Sequence, residues 1–517
     1  MESINNIQLV AMKVLQISTL LFVFLLGLGV IALIYMYLAD INQTSQAIRR
    51  NYPVVGRFRY FFEHLGEFFR QYFFAQDREE LPFNRAQRNW VYRAAKNVDS
   101  TTAFGSTRAL NQPGDVIFLN CLFPTLSEDA TTVGEVTIGK GFATQPYTPG
   151  SVFNISGMSF GAISVPAVRA LSNGAAKAGI WMNTGEGGLS PYHLEGGCDV
   201  VFQIGTAKYG VRTPDGELSD DRLRELAAEE RVRMFEIKMS QGAKPGKGGI
   251  LPGGKVTAEI AAIRGIPQGQ DSISPNGHSD IRNINDLLDR IAHIREVTGK
   301  PVGFKTVVGN HGWLHEMCAA IHRRGLQDAP DFITIDSADG GTGAAPQSLM
   351  DYMGQPIRTS LPLVVDTLIA NGLRERIRII VSGKLVNPSD LAWALCMGAD
   401  FVVSARAFMF ALGCIQALQC NKNTCPTGIT THNLDLQRGL DPTDKAERVY
   451  QLAKHMNYEL GVIAHSCGVA NARGLKRHHV QLINERGLPE AMEKTFPYPV
   501  ADPDAAIATD APKTQSL

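Results

Sequence analysis

The longest apolar stretch runs from Val14 to Leu38, "VLQISTLLFVFLLGLGVIALIYMYL", and carries no charge. As a helix it rises roughly 37 Å, enough to cross a hydrocarbon core of about 30 Å with some tilt. It is too long for the apolar part of a typical cleaved leader, and "YLADI" is a poor small-residue cleavage site. Lys13 precedes it, and Arg49, Arg50, Arg57 and Arg59 follow. That bias predicts a single-pass membrane protein with its C-terminal bulk in the cytoplasm. Phe61, Phe62, Leu65, Phe68, Phe69, Tyr72 and Phe73 then recur at helical spacing, with Glu63, Glu67 and Arg70 between them. Such a helix either lies at a membrane interface or packs on a main domain, and periodicity alone does not separate the two.

The pattern changes at Gly150. Short β-branched or apolar runs, "SVFNIS", "IWMNT", "MFEIKM", "PVGFKTV", "DFITIDS", "IRIIVSG" and "DFVVSA", alternate with helical stretches such as "VPAVRALSNGAAKAG" and "NPSDLAWALCMGA". This alternation predicts parallel strands joined by right-handed crossovers. No G-x-G-x-x-G follows the first strand, so a Rossmann dinucleotide site is unsupported. Strand number and length favour an α/β fold of the TIM (β/α)8 barrel type, with an N-terminal transmembrane helix, over a doubly wound sheet. The expected divisions are an anchor over 1–45, a juxtamembrane helix and lead-in over 46–114, the barrel over 115–480 and a tail over 481–517. The stretch from Asp502 onward is expected to be disordered.

Lysine plus arginine balances aspartate plus glutamate at 50 each, which argues against a nucleic-acid binder. Candidate chemistry gathers where the predicted strands end, and a barrel places its active site at that end. There stand Gly157-Met158-Ser159, Glu186, Lys238, Lys305, Gly341-Thr342-Gly343, Ser382-Gly383-Lys384 and Ser404-Ala405-Arg406. The last groups can aim backbone N–H at one phosphate; ordinary tight turns are the competing reading. Three cysteines, Cys414, Cys420 and Cys425, follow the last strand in "GCIQALQCNKNTCPTGI". Three thiols are an odd number for a disulfide and one short of a usual structural zinc site; zinc with His432 as fourth ligand and a site completed by Cys467 are open readings. "HGWLH", with His311 and His315, lacks the glutamate a metalloprotease helix needs. The basic run "RGLKRHH" reads as solvated surface or as a dock for an acidic carrier.

Six strings in order, "SGMSFGAIS", "NTGEGG", "EIKMSQGAKPGKGG", "LPGGKVT", "SADGGTGAAP" and the cysteine segment, resemble the FMN-binding synthase domain of glutamate synthases. The resemblance covers roughly Gly150 to Asn433. It implies an oxidoreductase forming glutamate from 2-oxoglutarate and ammonia, with FMN, with a 3Fe-4S cluster on Cys414, Cys420 and Cys425, and with electrons from a ferredoxin-like donor. It puts Gly157, Met158, Ser159 and Lys305 against the flavin. Gln241, Lys244 and Arg264 fall on 2-oxoglutarate, Lys208 takes an arginine position near it, and Glu186 stands beside flavin and substrate, acting with Lys244. Ile250 replaces the family's usual glutamine, Lys247 its glutamate, and "TAKYGV" its "SGRFGV", so a different oxo or hydroxy acid is the alternative substrate. An electron-transfer subunit serving a partner protein is the other alternative. No glutaminase domain or C-terminal β-helix is expected, so ammonia would come from solution or from another subunit.

Overall fold

The computed structural model describes residues 2–98 and 101–500; the stretch from Asp502, expected to be disordered, lies outside them. The chain divides into two compact units, residues 1–85 and 86–517.

In the first unit, a helix spans Glu2–Asn42, and Gln8–Asn42 is long and apolar enough to cross a membrane. A short helix, Ala47–Asn51, and a longer one, Gly56–Phe69, follow.

The second unit holds a closed barrel of eight parallel strands: β1 (Phe153–Ile155), β2 (Met182–Asn183), β3 (Val200–Ile204), β4 (Val232–Lys238), β5 (Val302–Val307), β6 (Phe332–Asp336), β7 (Arg378–Ser382) and β8 (Phe401–Ser404). The strands close in sequence order, with β8 pairing with β1, and so form a (β/α)8 barrel. The expected runs account for seven of these strands. The one not anticipated is β3, "VVFQI". All five of its residues are buried, so it shows no alternation, although Gly196-Gly197 and Gly205 punctuate it. Ile138 and Tyr147, joined across an antiparallel bridge, pack with Trp181, Phe332 and Phe401 in the core. A separate three-stranded antiparallel sheet joins Val116–Phe118 to Val480–Ile483 and then Pro489–Ala491, so ordered chain continues past position 480.

The helix Val165–Ala178, which follows β1, packs on the long helix Pro442–Ser466. Gly174 makes this approach possible, since a Cβ there would stand 2.5 Å from Val449 Cβ and 2.6 Å from the Ala446 carbonyl oxygen. Alanine in place of glycine favours a helix by about 1 kcal/mol, whereas overpacking costs about 1–3 kcal/mol. The Ala446 carbonyl belongs to the backbone and cannot rotate away, so the clash outweighs the gain. Gly174→Ala is therefore expected to lower the apparent unfolding midpoint in a thermal melt.

Candidate active site

The C-terminal ends of the strands surround a polar cavity of about 90 Å³ that merges into a larger cleft of about 410 Å³. Glu236 on β4 anchors the smaller cavity's floor. Its carboxylate accepts from Asn183 Nδ2 at 2.9 Å, Gln203 Nε2 at 2.6 Å and Thr334 Oγ1 at 2.5 Å, fixing β2, β3 and β6 around one buried charge. Lys238 and Lys305 stand opposite each other on β4 and β5. Each has its own acid: Lys238 Nζ lies 2.7 Å from Glu186 Oε1, and Lys305 Nζ lies 3.2 Å from Asp336 Oδ2. Burial draws the Lys305 ammonium down, but Asp336, Glu236 and Glu186 outweigh it and hold the group above its ordinary value. Burial likewise pushes the Glu186 carboxyl up, while Lys238, Lys244 and Arg264 together hold it below its ordinary value. Glu186 is therefore an anion at neutral pH.

The expected phosphate segments converge on the same cavity. Gly341, Ser382, Gly383, Ser404, Ala405 and Arg406 all line it, together with Lys384. Gly383 has φ +102°, and a Cβ there would meet Ser337 Cβ at 2.5 Å, so the turn after β7 requires glycine. Arg406 Nη2 donates to the Thr342 carbonyl at 2.8 Å, tying the β6 and β8 loops together. Arg406 and the close-approaching backbone suit an anionic phosphate, with Lys384, 3.0 Å from Asp339, beside them, and Gly157, Met158 and Ser159 line the adjoining cleft.

The cleft's outer wall comes from the segment between β4 and β5. It carries Lys244, Ile250, Leu251, Pro252, Lys255, Arg264 and Ser272, with a short hairpin pairing Ile250–Leu251 and Ser272–Ile273. Lys244 is 8 % exposed, and its ammonium makes no hydrogen bond or ion pair among the described residues. Burial, then the neighbouring Lys238, depresses its pKa, with Glu186 opposing. Arg264 is 5 % exposed; its Nη1 donates to Ser272 Oγ at 3.1 Å and its Nη2 to the Phe160 carbonyl at 3.0 Å, while Nε has no partner. Gln241 joins Lys238 to Thr342 Oγ1, its Nε2 donating at 3.2 Å.

Lys208, expected near the substrate, does not line the cleft. It is buried in an ion-pair network, 3.1 Å from Glu217 and 3.1 Å from Asp280, with Arg290 2.7 Å from Asp280. A lysine committed to two carboxylates has no charge to spare for a ligand. The residues not singled out for a role are Gln203, Glu236, Lys238, Lys255 and Asp336. The signal for all but Lys255 was a charge or amide inside a barrel strand, where both faces are otherwise apolar.

The cysteine loop sits beside the cleft, with Cys420, Asn421 and Thr430 on its wall. Lys255 Nζ donates to the carbonyls of Cys420 at 2.9 Å and Ala162 at 3.3 Å, and Tyr92 donates its hydroxyl to the Cys414 carbonyl at 2.6 Å. All three thiols are free. Among the described residues, no three His, Cys, Asp or Glu side chains stand in metal-holding geometry. His432 Nε2 is 2.8 Å from the Gly161 carbonyl, and Cys467 lies beside Cys121 rather than near this loop. The exposed His311 and His315 have rings 6.4 Å apart on one helix.

Residues 138–470 match the family described as a conserved region in glutamate synthase. The chain belongs to the glutamate synthase family, as a glutamate-synthase-like oxidoreductase. It is 37 % identical over 521 residues to the glutamate synthase large subunit-like protein YerD of Bacillus subtilis (strain 168), covering 92 % of this chain and 97 % of that protein. It is 36 % identical to the archaeal glutamate synthase (NADPH) of Methanocaldococcus jannaschii over 340 residues, covering 65 % of this chain and 63 % of that enzyme. A glutamate synthase large subunit-like protein of Rhizobium meliloti (strain 1021) is 28 % identical over 404 residues, covering 74 % and 87 %. The chain thus spans nearly all of YerD but less than two thirds of the archaeal enzyme.

The Glu186–Lys238 pair is buried, so removing one partner strands the other. Glu186→Gln is expected to cost about 3 kcal/mol of stability, and the double variant Glu186→Gln/Lys238→Met to regain much of it, read from denaturant midpoints. The folded carboxyl's pKa is depressed, so this contribution is complete above the unfolded value of about 4.3 and is lost only as pH falls toward the folded value.

Proposed function

We propose that the protein catalyses the FMN-dependent reductive amination of 2-oxoglutarate to glutamate, using ammonia and electrons from a ferredoxin-like donor. The observation that carries this reading is the pairing of unspent cations with one carboxylate. Lys244 and the Arg264 Nε are buried at the cleft without partners, and Glu186 faces the same space. Burying a cation without an anion is costly, so such cations mark where an anionic ligand belongs. Two of them suit a dicarboxylate, with arginine able to grip one carboxylate through two donors.

FMN, when bound, supplies the two-electron chemistry. Ser382, Gly383, Lys384, Ser404, Ala405, Arg406 and Gly341–Gly343 would hold its phosphate, with Gly157, Met158, Ser159 and Lys305 toward the ring. The protein's own part is to place and charge the reactants. Lys244 and Arg264 orient the oxo acid. Ammonia adds to its carbonyl carbon and water leaves, giving an iminium that gains a hydride equivalent to become glutamate. The ionised Glu186 attracts ammonium and balances the positive charge that appears at the iminium. Lys238 and Gln241 hold Glu186 and Thr342 in register for this task. The first helix would span the membrane, with the barrel on the cytoplasmic side.

Cys414, Cys420 and Cys425 supply three soft thiolates for a 3Fe-4S cluster, consistent in kind with iron–sulfur ligation. Among the described residues the three thiols do not form a ligating group. Protein prepared anaerobically is expected to contain iron and to show a low-temperature EPR signal when oxidised. Stoichiometric zinc without iron would remove this part of the reading.

A charge-assisted contact is worth roughly 1.5–3 kcal/mol. Lys244→Ala is therefore expected to weaken 2-oxoglutarate binding by about one to two orders of magnitude while leaving FMN content unchanged. Ile250, an apolar residue on the cleft wall, favours a second reading, in which the oxo acid carries a less polar chain. Under the first reading, Ile250→Gln tightens 2-oxoglutarate. If neither variant changes its binding, the second reading replaces the first.

A further inference from the structure

We propose that the helix Gly56–Phe69, with the turn Arg70–Phe74 that continues it, lies in the interfacial layer of the bilayer that holds the first helix. The inference rests on the membrane reading of that first helix and not on the proposed chemistry.

Several aromatic side chains of this helix and turn are exposed. Phe58, Phe61, Phe62 and Phe73 keep 59, 58, 61 and 73 % of their surface exposed, and Phe69 and Tyr72 are exposed as well. Five of them, Phe58, Phe61, Phe62, Phe69 and Tyr72, fall at i, i+3, i+4, i+11 and i+14, which is one stripe of a helix. Within the stripe, the Phe58 and Phe62 rings stack at 6.5 Å, and Phe61 meets Phe62 edge-on at 5.3 Å. Arg59, Glu63 and Arg70, all exposed, fall on another side. An apolar aromatic face opposite a charged one is the pattern of a helix lying in the plane of a membrane surface.

Lipid is the occupant because of how this helix is joined to the first. Asp40, in the last turn of the first helix, is fully buried. Its carboxylate accepts from Arg49 Nε at 2.9 Å, from Arg57 Nε at 2.9 Å and from the Val54 N–H at 2.9 Å. Arg57 belongs to the aromatic helix itself. Val54 has φ +67°, a conformation that a β-branched residue adopts only under strain, and its N–H bond to Asp40 holds it there. The elbow is therefore a fixed joint, and the aromatic helix starts where the apolar span ends, at interfacial depth. Arg50 and Arg59, exposed and without an ion pair among the described residues, flank this joint in the chain and suit anionic headgroups.

The test uses the full-length chain in native membranes, with the photo-crosslinker p-benzoylphenylalanine placed in turn at Phe62, Phe69 and Glu63. Lipid adducts at 62 and 69 but not at 63, on protein that resists alkaline carbonate extraction, are the expected result. Crosslinks from 62 and 69 to residues beyond Ala86 or to another protein, or no lipid adduct on carbonate-resistant protein, would overturn the proposal while leaving the spanning helix intact. Release of the protein by carbonate would overturn the spanning helix and the proposal together. Neither outcome bears on 2-oxoglutarate turnover, which reads the proposed chemistry separately.

Discussion

Two lysines facing each other across neighbouring strands in a buried site repel, and the rest of the site is arranged around that repulsion. Lys238 and Lys305 occupy opposed positions at the tops of β4 and β5. Like charges in this relation destabilise a sheet, more so away from water. Each is neutralised from a different direction: Glu186 reaches Lys238 from the turn after β2, and Asp336 reaches Lys305 from the end of β6. The two ion pairs bind four separate strand ends into one rim. The Asp336 carboxylate also accepts the Gly242 N–H at 2.9 Å, so the chain leaving β4 is fixed by the same acid. That chain carries Lys244. The cation left without a partner is thus placed by the residues that neutralise the others.

This division separates structure from function inside one cluster of charges. Lysines with acids of their own are committed to the rim. Lys244 and the Arg264 Nε have none, which is why the proposed reading gives them to a ligand. Lys208 illustrates the rule from the other side. It has the charge the resemblance called for, yet Glu217 and Asp280 take all of it. A substitution of lysine for arginine at that position replaces a planar fork with a point charge, and a point charge is readily captured by nearby acids.

Most of the barrel was legible because strands such as "DFITIDS" and "IRIIVSG" are bounded by charged or glycine residues and separated by amphipathic helices. The strand β3 was missed although "VVFQI", buried throughout like β6, is bounded by Asp199 and Gly205 in the same way. The phosphate segments were legible as glycine and serine at strand ends, a signal that depends only on local chain geometry. The ion pairs were not. Glu186 and Lys238 lie 52 positions apart, and only closure of the barrel brings them together. The aromatic helix marks the same boundary: its spacing announced an apolar face, and only the structure gives the exposure of Phe58, Phe61 and Phe62 on it.

The segment between β4 and β5 explains why the family is easier to recognise than the substrate. The cavity for the proposed cofactor is built mainly from strand ends, where a change disturbs the barrel itself. The outer wall of the cleft is built from an excursion that leaves β4, forms the hairpin at Ile250–Leu251 and Ser272–Ile273, and returns to β5. Its side chains can be exchanged without altering any strand pairing, and the departures at Lys247 and Ile250 both fall in it. The same excursion carries Lys255, whose ammonium is held by the carbonyls of Cys420 and Ala162. Asn423 of that loop in turn donates its Nδ2 to the Gly254 carbonyl at 3.4 Å. The outer wall is therefore tied to the cysteine loop in both directions, and the excursion is free to vary only where these contacts are kept.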